Sequence, residues 1–271
     1  MAGPKRRAEA PAVEEEPRTL SHQQVVNRYR SARSDPELAV LEGFHALKHA
    51  LRFGAEVLEI RTSDPENLQR LSAELAPELG DALAERAVET PADLFGELSP
   101  RPPGTGVIAL AHRREADPDE TVRSAGPGPV VLLERPSHLG NLGAAVRAAA
   151  AAGAAGVLAS GEHDPWHASA LRGGAGLHYA LPVGSVEDPV HLDMADRPLL
   201  AVDPRGEPLS AGGVPDRSVL AFGTERHGVS GALLDRADRR VRIPMREGVS
   251  SLNLAVSVAV VLYAWRLGRE A

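Results

Sequence analysis

Between residues 130 and 243 the chain repeats one pattern: a short apolar run, then glycine, asparagine or proline beside one or two polar side chains. The runs at 130–133, 155–159, 199–202, 219–222 and 241–243 are short and rich in Val, Leu and Ala, as buried strands are. Helical spacing fills several of the gaps between them. Alternating β and α units predict a parallel sheet covered by helices on both faces. Three of the punctuated ends carry more polar chemistry than a turn needs: HLGNLGAAVR (138–147), AFGTERHG (221–228) and RIPMREGVSSLN (242–253). Ligands of α/β proteins bind at the carboxyl ends of strands, where backbone N–H groups and loop side chains converge. One such end is commonplace; three in series predict a single built site.

A chain of 271 residues is long for one domain and comfortable for two. Aromatic residues are only 3% of it, so Ala, Val and Leu must fill the core. The absence of cysteine excludes disulfides and thiolate chemistry and argues against a structural zinc site. The opening MAGPKRRAEAPAVEEEP has charges but no apolar segment, unlike a secretory signal. The longest apolar stretch, 252–265, contains Asn253 and Ser257 and falls short of the ~20 residues of a membrane span. A soluble cytoplasmic protein without a membrane partner is the expectation. Net charge is −7, and the acidity sits mainly before residue 128, where 22 Asp and Glu face 16 Lys and Arg. An RNA partner would therefore be held by a local patch and by shape, not by a bulk positive field.

Along the chain, residues 1–20 are Pro, Ala and charge without periodicity and read as a disordered tail. A helix is predicted from Asp35 to near Gly54, a strand over 56–60, a helix opening at Asp64–Pro65, another over 91–98, and a strand over 107–111. Together, 21–113 would form a small α/β domain. Residues 114–127, with acid clusters and SAGPGP, read as a linker. The second domain runs 128–271: a helix over 142–152 closed by Gly153, one near 167–173, and a last helix from near Ser251, capped by Ser250 or Ser251. That last helix is apolar almost all round and is expected to be buried, with a second subunit as the candidate cover.

At the first polar end, Gly140 and Gly143 flank Asn141 in the predicted strand-to-helix turn, where glycine permits close approach to a ligand. Arg147 follows one helical turn after Gly143; a surface arginine is the plain alternative. The spacing lacks the three glycines of a dinucleotide fingerprint, and no acidic residue ends the next strand. At the second, Glu225 follows Phe222 and Gly223 with Arg226 and His227 beside it. At the third, Ile243–Pro244 ends a strand, and Ser250, Ser251 and Asn253 open a helix, where capping is their ordinary use. Two histidine pairs, His45 with His49 and His163 with His167, have spacings that suit zinc, but no third ligand is evident.

These residues resemble the SpoU/TrmH branch of the SPOUT RNA methyltransferases. The family's N-x-G-A-x-x-R reads here from Asn141 to Arg147. Its G-x-E-x-x-G reads as Gly223, Glu225 and Gly228, and its I-P-M…S-L-N as Ile243, Pro244, Met245, Ser251, Leu252 and Asn253. EGFHALKHALRFG and PPGTGVIALAHR are similar, more softly, to the opening and close of the small RNA-binding domain often fused ahead of that catalytic domain. The resemblance implies transfer of a methyl group from S-adenosyl-L-methionine to a ribose 2′-hydroxyl of ribosomal or transfer RNA, with no metal. It implies a homodimer and a SPOUT-type parallel sheet whose C-terminal chain is tied in a trefoil knot, which ordinary topology rules disfavour. It assigns catalytic roles to Arg147, Asn141, Glu225, Ser251 and Asn253, and cofactor contacts to Gly223, Ile243 and Leu252. A guanidinium is a poor base, so Arg147 is read as fixing the target phosphate while that phosphate or a neighbour takes the proton.

Two departures stand out. Leu139 replaces the proline often found two residues before the motif asparagine, and Arg172-Gly-Gly-Ala-Gly176 replaces R-x-S-x-G in a region that faces substrate in relatives. Two other readings stay open on sequence: a catalytically silent RNA-binding relative, and a nucleotide-binding oxidoreductase, which leaves the I-P-M and S-L-N segments unexplained.

Overall fold

The computed structural model describes residues 20–270. The disordered tail expected over 1–20 lies, save for Leu20, outside them. The N-terminal half contains helix α1 (His22–Ala32), strand β1 (Leu38–Glu42), α2 (Phe44–Arg52), β2 (Val57–Thr62), α3 (Pro65–Leu75), α4 (Gly80–Arg86), β3 (Ala87–Glu89), α5 (Ala92–Glu97) and β4 (Val107–His112). Its strands form one mixed sheet in the order β1-β4-β2-β3.

One expectation fails here and one helix goes unforeseen. The helix predicted over 35–54 is a strand followed by a helix. Leu38, Leu41 and Leu47 fit a helical period, but Gly43 sits at φ +98° and its N–H bonds to the Val107 carbonyl, so the chain turns between β1 and α2. Helix α1 was not foreseen, although its signal is local: Ser21 and Gln24 form a reciprocal capping box.

The stretch read as a linker contains a short helix, α6 (Pro118–Arg123), with Asp117 as N-cap and proline at its first position. Beyond it run β5 (Val130–Leu133), α7 (Leu139–Ala152), β6 (Gly156–Ala159), α8 (Ala168–Gly173), β7 (Val183–Ser185), β8 (Leu199–Pro208), β9 (Val219–Phe222), α9 (Gly231–Arg236), β10 (Arg239–Arg242) and α10 (Leu254–Glu270). Six strands make a wholly parallel sheet in the order β10-β8-β9-β5-β6-β7. All four residues of each of β5, β6 and β9 are buried, as strands covered on both faces require.

Helix α7 begins at Leu139, earlier than predicted. Gly140, Asn141 and Gly143 therefore lie within its first turns and not in a preceding loop. The glycines serve packing: a Cβ on Gly143 would sit 2.0 Å from the Ala170 carbonyl oxygen, and one on Gly173 would sit 2.8 Å from that of Gly140. Helix α10 begins at Leu254 and is capped by Asn253, whose Oδ1 accepts from the Ala255 and Val256 amides. The serines before it do not cap it. Nor is α10 buried all round. Val258, Val261 and Leu262 are buried, whereas Val256, Val260, Tyr263 and Leu267 are exposed along one stripe.

The two halves are fastened to each other by buried polar contacts. Glu42, at the end of β1, is held within its own half by Arg33 at 2.7 Å and Ser99 at 2.6 Å, and across the halves it accepts from Arg172 at 2.5 Å. His49 donates through Nδ1 to the Ala175 carbonyl at 2.7 Å, and the Tyr179 hydroxyl to that of His112 at 2.8 Å. Gly176, at φ +74°, lets the Ala46 carbonyl approach; a Cβ there would lie 2.2 Å from it. The divergent segment 172–176 is thus the seat on which the N-terminal half rests.

Candidate active site

The middle of β8, at residues 202–204, and the carboxyl ends of β9 and β10 open into a cleft of about 680 Å³, a size typical of small-molecule sites. Gly223, Glu225, Ile243, Ser251 and Leu252 all line it. Its floor is mostly main chain because the 223–228 loop folds on itself. Thr224 and Gly228 exchange backbone hydrogen bonds of 3.1 and 3.0 Å, and a Cβ on Gly223 would lie 1.8 Å from the Gly228 carbonyl carbon. Only glycine fits there. Ile243, Leu252, Leu254 and Phe222 supply apolar wall.

The three sequence segments meet through side chains. Asn141 on α7 donates through Nδ2 to Glu225 Oε1 at 2.9 Å and accepts at Oδ1 from Asn253 Nδ2 at 3.0 Å. The Ser137 amide donates to the other Glu225 oxygen at 2.9 Å. Burial pushes the Glu225 pKa up, but the hydrogen bonds from Asn141 and Ser137 outweigh it and hold the carboxyl below its usual range. Such a carboxylate is a fixed anion, poorly suited to take up a proton near neutral pH. Asn253 has a double duty, since its amide nitrogen completes this network while its oxygen caps α10.

Arg147 does not join the network. It lies six residues after Asn141 on α7, about 9 Å along the axis and roughly a third of a turn around it. It is exposed, and among the described residues its guanidinium has no hydrogen bond or ion pair. The Ser251 hydroxyl likewise has no such partner. His227 is exposed, its backbone N–H bonded to Thr224 Oγ1 at 3.0 Å.

Two carboxylates at the site were missed on sequence. Glu134, 3% exposed and directly after β5, accepts the Ser230 amide at 2.7 Å and so pins the far end of the 223–230 loop. Asp203, 6% exposed on the cleft wall, accepts from the Arg205 amide at 2.8 Å and from its guanidinium at 3.0 Å. Each stands just past a predicted strand end, which was the available signal. The zinc-spaced histidines are used otherwise: His49 bonds Ala175, His167 caps α8, and His163 approaches the Ser137 carbonyl at 3.0 Å. Among the described residues there is no cluster of three or more metal-ligating side chains.

The sequence profile of the SpoU rRNA Methylase family matches residues 128–263. Over 242 residues the chain is 26% identical to the 23S rRNA (guanosine(2553)-2′-O)-methyltransferase RlmP of Bacillus subtilis, covering 88% of this chain and 92% of that one. It is 28% identical over 258 residues to the 23S rRNA (adenosine(1067)-2′-O)-methyltransferase of Streptomyces azureus, covering 89% and 90%. Among solved structures, the SpoU methyltransferase AviRb of Streptomyces viridochromogenes, in complex with AdoMet, superposes with a TM-score of 0.73 at 23% identity, over 94% of this chain and 99% of that one. That last likeness establishes the shared fold.

Proposed function

This chain belongs to the SpoU rRNA Methylase family, and from that premise we infer its reaction: transfer of a methyl group from S-adenosyl-L-methionine to a ribose 2′-hydroxyl of RNA. The observation that carries the reading is the hydrogen-bonded chain Asn253–Asn141–Glu225, which joins all three family segments at one cleft. We propose ribosomal RNA as the substrate, because both relatives matched along nearly their whole length are named for 23S rRNA. No helix of the described residues is long and apolar enough to cross a membrane.

The cleft suits the methyl donor. Its volume is adequate, its floor is bare backbone at Gly223 and Gly228, and Ile243 and Leu252 offer apolar surface for a purine. When bound, S-adenosyl-L-methionine supplies a sulfonium methyl for in-line displacement. The protein must then align the acceptor oxygen, exclude water and let the hydroxyl proton leave. In our reading Glu225 is a positioning anion, since its two oxygens already hold the Asn141 amide and the Ser137 N–H. Asn141 and Asn253 fix the loop ends against each other, leaving the Ser251 hydroxyl free to meet the ribose. Arg147 grips the phosphate beside the target nucleotide with a planar pair of donors, and that phosphate or a neighbouring group takes the hydroxyl proton.

Residues 21–113 act, on this proposal, as the RNA-binding domain and 128–271 as the catalytic one. The exposed stripe of Val256, Val260, Tyr263 and Leu267 recurs at spacings of four, three and four, as a helix packed against its own copy requires, and supports a homodimer. The chain leaves edge strand β10, lines the cleft beyond β8 and β9, and only then packs α10 on α7; that path supports the knotted topology.

The test is incubation of the protein with labelled S-adenosyl-L-methionine and rRNA from a strain lacking it, followed by mapping of the label. A single ribose 2′-O-methyl position is expected. Label on a base, or cofactor binding without transfer to any RNA, overturns the reaction proposed.

A further inference from the structure

The face of α7 that bears Arg147 is not the face that meets the cleft network. Gly143, one turn before Arg147, presses against Ala170 and Gly174, and the chain continues from there into Ala175 and Gly176, on which α2 rests. Arg147, about 40° around the helix from Gly143, is therefore directed at α2 of the N-terminal half. What α2 presents there is more positive charge. Lys48 is only 9% exposed and its ammonium has no hydrogen bond or ion pair; His45, one turn before it, is exposed and has none either. The carboxylate nearest by charge, Glu78, is already bonded by Arg52 at 2.6 Å. Burial, then Lys48 and then Arg147 depress the His45 pKa, so the three groups feel one another's charge.

Two cations and a histidine side by side, with their nearest carboxylate Glu78 already engaged by Arg52, form an arrangement that an anion would complete. We propose that Lys48 and His45 join Arg147 in a phosphate clamp that spans the two halves of one protomer and grips the RNA backbone at the target nucleotide. The clamp rests on the methyltransferase reading above and deepens it, because it puts a lysine of the substrate domain in direct contact with the RNA. Its geometry depends on the 172–176 seat: Arg172 on Glu42 and Ala175 on His49 hold α2 against the same segment that packs on α7. The divergence of that segment from the family pattern then has a consequence for substrate placement, exerted through domain docking.

The experiment uses the full-length protein and its mapped rRNA substrate. Lys48→Met keeps the packed stem and removes the charge; Lys48→Arg restores it. Four quantities are measured for each: thermal midpoint, cofactor affinity by calorimetry, rRNA affinity by filter binding at several salt concentrations, and the split between KM and kcat. Lys48→Met is expected to leave cofactor affinity and thermal midpoint near wild type, and to weaken RNA binding roughly tenfold. The dependence of log affinity on log salt should flatten by about one phosphate contact. Lys48→Arg should recover most of the loss, and His45→Ala should act in the same direction less strongly. Lys48→Met with unchanged RNA affinity and salt slope, in a protein that methylates normally as wild type, overturns the clamp and leaves the reaction intact. A wild-type protein that transfers no methyl group to RNA overturns the functional reading itself, and the clamp with it.

Discussion

The two sides of helix α7 differ in how their polar groups are satisfied. Toward the cleft, Asn141, Glu225 and Asn253 hold one another, and every oxygen of Glu225 has a donor. Toward α2, Arg147, Lys48 and His45 have no hydrogen-bond partner among the described residues. A satisfied network is rigid and specifies one geometry; two cations and a histidine without hydrogen-bond partners form a site awaiting its ligand. One side is built before any substrate arrives, and the other is completed by it. Substitutions on the two sides should therefore fail differently, the first in cofactor binding and folding, the second in turnover and RNA affinity.

The largest separation is expected from Arg147→Ala. The side chain is exposed and bonds nothing, so the thermal midpoint and cofactor affinity should stay near wild type. Turnover should fall by roughly 10²–10³-fold, the usual loss when a donor to transition-state charge is removed. Near-normal turnover would remove Arg147 from the mechanism and leave the comparison without its second side.

Gly223→Ala attacks the first side and should have the opposite signature. Its Cβ would fall 1.8 Å from the Gly228 carbonyl carbon, and both neighbours are backbone, which cannot give way without opening the 223–228 loop. Calorimetry should detect a loss of cofactor binding of at least about tenfold, with catalysis lost in proportion. Retained affinity would mean that the loop re-forms elsewhere and that the bare-backbone floor is not what holds the donor.

How much of this was legible beforehand divides along the same line. The satisfied side was readable because its parts are local. Strands β5, β6 and β9 are unbroken apolar runs, and the first two motifs follow β5 and β9; the third follows β10, whose Arg-Arg-Val-Arg is a weaker signal. What the sequence could not convey is that Asn253 both caps α10 and bonds Asn141, because Ser250 and Ser251 are equally good capping residues by type. The unsatisfied side was almost invisible. Lys48 is about 100 positions from Arg147, and the two are neighbours only because 172–176 seats α2 on the catalytic half. The same stretch misled at shorter range: 38–52 has a helical period, and only the left-handed Gly43, tied to Val107 on β4, splits it into strand and helix. Contacts made by docking one half on another leave little local trace.

Asn141→Ala is a smaller perturbation of the first side. It strips one donor from Glu225 and removes the acceptor of Asn253, so the cost should be about 1–2 kcal/mol of stability. For a chain of this size that is a fall of roughly 2–8 °C in the thermal midpoint. The Glu225 carboxyl should also titrate higher, since one of the hydrogen bonds that together outweigh its burial is gone. An unchanged midpoint would show that the network is held by the backbone around it, with the Asn141 amide a passenger.

Acid should loosen the second side before the first, by a smaller margin still at mild pH. Beneath α2 and α7 lies His178, fully buried against Trp166 at 5.6 Å between ring centroids, with no hydrogen bond to either ring nitrogen. Burial pushes its pKa down to about 3. A group that is neutral when folded and titrates near 6.5 when unfolded binds more protons in the unfolded state between those values. Stability should therefore be full above about pH 6.5 and decline as pH falls below it, approaching about 1.4 kcal/mol per pH unit. Glu225 behaves otherwise: its folded pKa is depressed, so its contribution persists until pH falls into and below the carboxylate range. Hydrogen exchange at pH 5.5 against pH 7.5 should accordingly show faster opening around 175–180 while the amides of 223–230 stay protected. Equal protection of both segments at pH 5.5 would place the acid-sensitive group elsewhere and make the two sides of α7 one cooperative unit.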